Sequence, residues 1–469
     1  MIKQTKIIAT ISALNCGRNF IRALHDEGVD VVRLNTAHQS LAEAAEVIKS
    51  VRAVSARIAI LLDTKGPEIR TSICEGKINL AKNDLVKISG ANNPPQSDRD
   101  LIWVNYKNFV KEIPVKARIL IDDGDVELIV EKKTDKYLSC RIVDGGQLGS
   151  RKGVNVPGVS LNLPSLSAKD KQFIKFAVEN DLDFIAHSFV RNSADVMAVQ
   201  KILNRASSPI KIIAKIENQL GIDNIDEILD HCYGVMVARG DMGIEIPAEE
   251  VPMIQKSLVR QCIARRKPVI IATQMLHSMI NNPRPTRAEV SDVANAVLDG
   301  ADAIMLSGET AGGKYPLEAV KIMTKIAARA ERNKKLSKEV MARPSNQIAD
   351  YLAKSAILAI DELDIKEIII STNSNYSARV LAAYRPKVPI FVKCFDPRRV
   401  RQLALLYGVR AHFLNEKNYQ SDLLPKVLRD LVKKGSRQSS DLVIFLNSDV
   451  DGNGSANTME ICEVGKYVK

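Results

Sequence analysis

Short Val/Ile-rich runs recur along the first two thirds of the chain. They occupy residues 6–11, 29–34, 58–63, 184–188, 210–215, 235–238, 268–273 and 303–307. Runs of this kind suit strands that are buried on both faces. Helical periodicity fills most of the gaps between them. Ser40, Leu41, Ala42 and Glu43 read as a capping box. Leu41, Ala44, Val47, Ile48 and Val51 then fall on one helical face. Val196, Val199 and Leu203 do the same after the fourth run, and Val320, Met323 and Ile326 after Pro316. Eight strands alternating with helices predict an α/β fold of TIM-barrel type, an eight-stranded (β/α) barrel, in preference to an open doubly wound sheet.

The spacing breaks once, because the third run starts at residue 58 and the fourth only at 184. Between them the texture changes. Residues 125–131 alternate polar and apolar, and glycines follow at 145, 146, 149, 153 and 158. This predicts an inserted all-β domain over residues 71–160, with the barrel built from 1–70 and 161–340. Residues 341–469 carry new buried-strand candidates at 368–371, 390–393 and 442–446, which predict a smaller C-terminal α/β domain.

A barrel of this type gathers its chemistry at the C-terminal ends of its strands. The second run ends at Arg33, Asn35 and His38, the third at Asp63, Thr64, Lys65, Glu68 and Arg70, and the fifth at Lys215 and Glu217. Gly240 and Asp241 follow the sixth, Thr273 ends the seventh and Ser307 the eighth. Strand periodicity puts Arg33 with Asn35 on one face, and Lys215 with Glu217 on one face. Two cations beside hard carboxylates suit phosphoryl transfer, which needs charge neutralised on the moving group and a divalent ion to bridge it. Glu217 and Asp241 are the ligand type Mg²⁺ or Mn²⁺ prefers. The competing explanation is a ring of structural salt bridges.

Composition narrows the rest. Lys and Arg outnumber Asp and Glu by 67 to 55, a net charge of +12. No basic block interleaved with aromatics accompanies it, so nucleic acid is not expected as a partner. The seven cysteines show no CxxC spacing, which argues against zinc. With neither a signal-like start nor a membrane-length apolar run, a cytoplasmic protein with no membrane partner is expected. Two further motifs carry little weight. Residues 308–314 match the opening of a phosphate loop but lead into Tyr315, where a hydroxyl is needed. Residues 449–460 fit a Ca²⁺-loop pattern, but strand-like flanks replace the helices it requires.

The motifs VVRLN, LLDTKGPEIRT, ILIDDG, LGSRKGVNVPG, KIIAKIEN, VARGDMGIEIP, IIATQML, RPTRAEVSDVANAVLDG and IMLSGETA occur in that order. In them the chain resembles the pyruvate kinase family over nearly its whole length. The resemblance implies transfer of a phosphoryl group from phosphoenolpyruvate to ADP, with Mg²⁺ or Mn²⁺ and, in many members, K⁺. It implies that Arg33 contacts the substrate phosphate and Lys215 stabilises the transferring group. Glu217 and Asp241 would hold the divalent ion. Gly240, Asp241 and Thr273 would border the substrate carboxylate, and Thr273 and Ser307 the route of enolate protonation. Asn35, His38, Arg70 and Lys152 match nucleotide-contacting positions. The insert would be a β-barrel lid that closes to exclude water. Asn35, Asp63 and Thr64 match three K⁺ ligands, while Ala37 replaces a fourth, a Ser; Glu68 is the residue of K⁺-dependent members. Ser12-Ala13, His277 and Gly312 also depart from the family pattern. Residues 372–377 loosely match a phosphate loop for an allosteric effector, with Asn375 in place of Gly. A homotetramer, with a regulatory and oligomerising C-terminal domain, is the family expectation. Two other readings stay open on the residues alone: a metal-dependent aldolase or lyase without a nucleotide, and a nucleic-acid-binding role.

Overall fold

A computed structural model describes residues 3–333, 348–371, 375–414, 423–433, 435, 437–447 and 456–468. All eight runs become strands: β1 (Lys6–Thr10), β2 (Val31–Asn35), β3 (Ala59–Asp63), β4 (Phe184–His187), β5 (Lys211–Ile216), β6 (Gly234–Ala238), β7 (Val269–Ala272) and β8 (Ala303–Leu306). They pair in parallel, each with its neighbours in sequence, and β8 returns to β1 to close the barrel. The helix α1 (Leu41–Val54) starts with the expected reciprocal cap. Ser40 Oγ accepts from Glu43 N, and Glu43 accepts from Ser40 N. Ala44, Val47, Ile48 and Val51 are buried, so the 3.6-residue pattern faces the strands as it should.

Two apolar layers follow from strand parity. Ile7, Val32, Leu34, Ile60, Leu62, Ile185, Ile212, Val235, Ile271 and Ile304 pack outward against the helices. Their neighbours Ile8, Val31, Leu61, Phe184, Ala186, Ile213, Met236, Ile270 and Met305 fill the barrel interior. Continuing the inward parity leads from Val31 to Arg33, from Leu61 to Asp63, from Ala186 to Ser188 and from Ile213 to Lys215 and Glu217. The polar site is therefore the top layer of the same ladder whose lower layers are apolar.

The insert has its own core, including Ile88, Val104, Ile119, Leu128, Leu138 and Cys140. The pattern predicts an all-β insert, and the family resemblance implies a β-barrel here. The structure shows a six-stranded sheet and a separate two-stranded ladder. The sheet's edge strands, Leu101–Val104 and Val154–Asn155, do not pair with each other. Only single bridges, Thr71 to Val104 and Arg70 to Gly153, span the gap between them.

The C-terminal sheet runs β11 (Val409–Phe413), β10 (Ile390–Cys394), β9 (Ile365–Ser371), β12 (Leu442–Asn447) and β13 (Thr458–Glu463). Of these, β11 is an edge strand whose alternating Arg410 and His412 hide it from a search for apolar runs. The antiparallel β12–β13 pair supports strands, not helices, around the Ca²⁺-like motif; residues 449–455 of that motif lie outside the described residues. This domain docks on the barrel floor, opposite the polar site. Asp302, just before β8, accepts from Val269 N (3.1 Å), Tyr407 N (3.0 Å) and Arg385 (2.5 Å). Asp183, just before β4, accepts from Ile60 N (2.8 Å) and Arg401 (2.6 Å).

Leu405 of the C-terminal domain is fully buried and joins the barrel's inner cluster. A Leu405→Ala variant should lose about 2–5 kcal/mol of unfolding free energy, the usual range for emptying a leucine site. Chemical denaturation measures it; a loss near zero would mean that the floor is not sealed by this side chain.

Candidate active site

Four buried charged groups meet at the barrel mouth. Asp63 stands between two cations: Arg33 Nε donates to its Oδ2 (2.7 Å) and Lys215 Nζ to its Oδ1 (3.0 Å). Lys215 Nζ also lies 3.0 Å from Glu217 Oε1 and donates to Ser188 Oγ (2.8 Å). Ser188 Oγ in turn donates to the carbonyl of Thr64 (2.7 Å). Arg33 is held from the other side by Thr10 Oγ1 (3.0 Å). The expected same-face pairing of Lys215 with Glu217 is thus present as an ion pair.

The charge balance of this cluster is uneven. Arg33 and Lys215 face three carboxylates, namely Asp63, Glu217 and Asp241. Burial alone would lower the Lys215 ammonium, but Asp63 and Glu217 outweigh it and hold it above its ordinary value. Glu217 is left short of positive charge. Burial, with Asp241 nearby, pushes its carboxyl up to about 8 despite Lys215. Its Oε2 accepts from Phe189 N (2.6 Å), whereas the buried Oε1 accepts no hydrogen bond. A buried carboxylate oxygen that meets only the Lys215 ammonium, next to a second carboxylate, fits a cation ligand.

Asp241 sits in the first turn of α2 (Arg239–Glu245), which begins directly where β6 ends. Gly240 N donates to Thr273 Oγ1 (2.7 Å), so these two neighbours of the site are locked together. Glu309, also buried, ties the last two loops of the mouth: its oxygens accept from Ser307 N (2.8 Å) and Leu276 N (3.1 Å).

A cavity of about 450 Å³ lies between the insert and the barrel, lined by Arg70, Asp123, Lys152, Phe189, Asn218 and Asp241 among others. Arg70 and Lys152 therefore share one space with Asp241. Each is already paired, Arg70 with Glu68 (2.8 Å) and Lys152 with Asp122 (2.7 Å). Asn35 and His38 do not line this cavity. Exposed His38 borders an open groove with Lys169 and Phe173. The three K⁺-ligand candidates all have partners: Asn35 Oδ1 accepts from Ala37 N, Thr64 Oγ1 from Ser188 N, and Asp63 from both cations. In the C-terminal domain Asn375 precedes the helix Tyr376–Ala383, and residues 372–374 of the effector-loop match lie outside the described residues.

Ser188, Thr10, Glu309 and Arg239 also touch or brace the site; Arg239 and Glu309 stand at strand ends in the sequence without a role that marks them, and Thr10 and Ser188 carry no signal of their own. Hydroxyl groups at strand ends are common, and their partners here lie far off in sequence. Only the inward parity of β1 and β4 could have marked Thr10 and Ser188.

Residues 2–320 match the family model described as "Pyruvate kinase, barrel domain", and residues 350–462 match "Pyruvate kinase, alpha/beta domain". Curated relatives share this span. A protein of Borreliella burgdorferi named "Pyruvate kinase" is 48% identical over 473 residues, covering 100% of this chain and 98% of its own. Proteins of the same name from Bacillus licheniformis (42% identical) and Staphylococcus aureus (41%) each match 100% of this chain and 81% of their own.

Proposed function

This chain belongs to the pyruvate kinase family of phosphotransferases, and we propose that it transfers the phosphoryl group of phosphoenolpyruvate to ADP, giving pyruvate and ATP. The observation that carries the reading is the buried cluster of Arg33, Asp63, Lys215 and Glu217 at the barrel mouth. Such a cluster is expensive to build for stability alone, since desolvation consumes most of its Coulomb energy.

In this mechanism Arg33 binds the phosphate of phosphoenolpyruvate. Lys215, fixed by Asp63 and Ser188, neutralises the equatorial oxygens as the group leaves. Glu217 and Asp241 would hold Mg²⁺ or Mn²⁺, which when bound would supply positive charge to the transferring group. Gly240, Asp241 and Thr273 border the substrate carboxylate. Thr273 and Ser307 serve the protonation of enolpyruvate.

Asn35, His38, Arg70 and Lys152 contact the nucleotide, with Arg70 and Lys152 exchanging their present carboxylate partners for phosphate. The insert acts as the lid. K⁺ fits less well. Ala37 contributes no side-chain oxygen, and the other three donors already have partners. A homotetramer, a cytoplasmic location in glycolysis and a phosphorylated effector in the C-terminal domain complete the proposal. No helix among the described residues is long and apolar enough to cross a membrane.

A lactate-dehydrogenase-coupled assay with phosphoenolpyruvate, ADP and Mg²⁺ tests the reading. Turnover that stops on chelation and returns with Mg²⁺ or Mn²⁺ is expected. Absence of turnover under all these conditions, with the protein folded, overturns it.

A further inference from the structure

Thr273 and Gln274 leave β7 with φ of +70° and +54°. This left-handed region is unfavourable for a β-branched residue and costs on the order of 1–3 kcal/mol unless neighbours enforce it. The neighbour that does so is Arg239. One guanidinium nitrogen donates to the Thr273 carbonyl (2.8 Å) and lies against Met275 Sδ (2.8 Å). The two terminal nitrogens also form a bidentate pair with Asp292, at 2.6 and 2.7 Å. A planar fork of this kind fixes direction as well as distance.

Asp292 lies on α3 (Arg287–Asp299). The first turn of that helix grips the next stretch of the same loop, where Glu289 accepts from Ser278 N (2.7 Å) and Ser278 Oγ (2.6 Å). Thr273 Oγ1 accepts from Gly240 N, the residue after Arg239, and donates to Ala272 O (2.6 Å). Arg239 therefore governs Thr273 from both ends, through its side chain at the carbonyl and through its adjoining peptide at the hydroxyl. Neither Arg239 nor Asp292 lines the cavity between lid and barrel.

We propose that Arg239 and Asp292 are positioning residues that hold Thr273 in its left-handed conformation and so fix where its hydroxyl oxygen stands for enolate protonation, in which the proton now shared with the Ala272 carbonyl is handed on. The proposal rests on the function argued above. It makes α3, which contributes no group to the Arg33, Asp63, Lys215 and Glu217 cluster, a determinant of the proton-transfer half of the reaction more than of phosphoryl transfer.

The test compares Asp292→Asn, Arg239→Lys and Thr273→Ala with the parent. Phosphoryl transfer is measured at saturating phosphoenolpyruvate and ADP with Mg²⁺. Proton exchange is measured as deuterium uptake from D₂O into the methyl group of pyruvate by NMR, with Mg²⁺ and inorganic phosphate. Exchange should fall about a hundredfold in both clamp variants, the scale on which a misplaced reacting group costs rate, with a much smaller fall in phosphoryl transfer. A merely structural pair would lower Tm and leave the ratio of the two rates at the parent value. That ratio, unchanged in a folded clamp variant, overturns the proposal. If Asp292→Asn does not fold, Arg239→Lys decides the question. A parent that neither transfers nor exchanges removes the underlying function and the proposal together. Loss of exchange in Thr273→Ala with normal exchange in both clamp variants removes the proposal alone.

Discussion

Replacing Lys215 with Met should lower kcat by about three orders of magnitude or more while leaving the fold intact, on the scale of removing a preorganised charge-stabilising donor. Met keeps most of the length of the side chain and fills its buried slot. Asp63 keeps Arg33 as a partner at 2.7 Å, so the variant does not strand a lone buried carboxylate there. What disappears is the single ammonium that reaches Asp63, Ser188 and Glu217 together. The loss should fall on kcat more than on the KM for phosphoenolpyruvate, because the moving group gains charge density on its oxygens in the transition state and Arg33 still binds the ground state. The coupled assay measures both constants, and circular dichroism checks the fold. A folded variant within about tenfold of the parent kcat would remove Lys215 from the chemistry, since one such donor is worth far more than that.

Much of this site is legible in the sequence because a strand has a period of two. Arg33 and Asn35 follow Val31, and Lys215 and Glu217 follow Ile213, so the apolar layer below predicts which way the polar layer points. Thr273 is legible as a residue at a strand end, but its left-handed backbone is not. Nothing local favours that conformation in a threonine; a guanidinium 34 residues earlier enforces it. Ser188 is hidden for a similar reason, since its contact to Asp63 spans 125 residues. Leu405, in the turn after the helix Pro397–Leu403, carries no local signal, and only domain docking turns it into the barrel's floor. Local periodicity thus specifies the layers, and long-range polar contacts specify the angles at which the reacting groups are held.

Asp63 shows how closely those two levels are joined, and its replacement by Asn should have the second largest effect. Asn has nearly the same shape and can still accept from Arg33 Nε or Lys215 Nζ, so packing is preserved. The charge is not preserved. Arg33 and Lys215 are each about nine-tenths buried, and without Asp63 they share only Glu217 and the more distant Asp241. Uncompensated buried charge of this kind costs about 3–5 kcal/mol, and chemical denaturation of Asp63→Asn should show a loss of that size. Activity should fall as well, because Lys215 is released toward Glu217 and draws it away from the divalent ion. The two effects separate in a double variant. Lys215→Met placed on Asp63→Asn removes the surplus cation, so part of the lost stability should return while turnover stays at the Lys215→Met level. Stability losses that simply add in the double variant would show that Asp63 and Lys215 act independently, and the idea of a single charge-balanced cluster would then have to be given up.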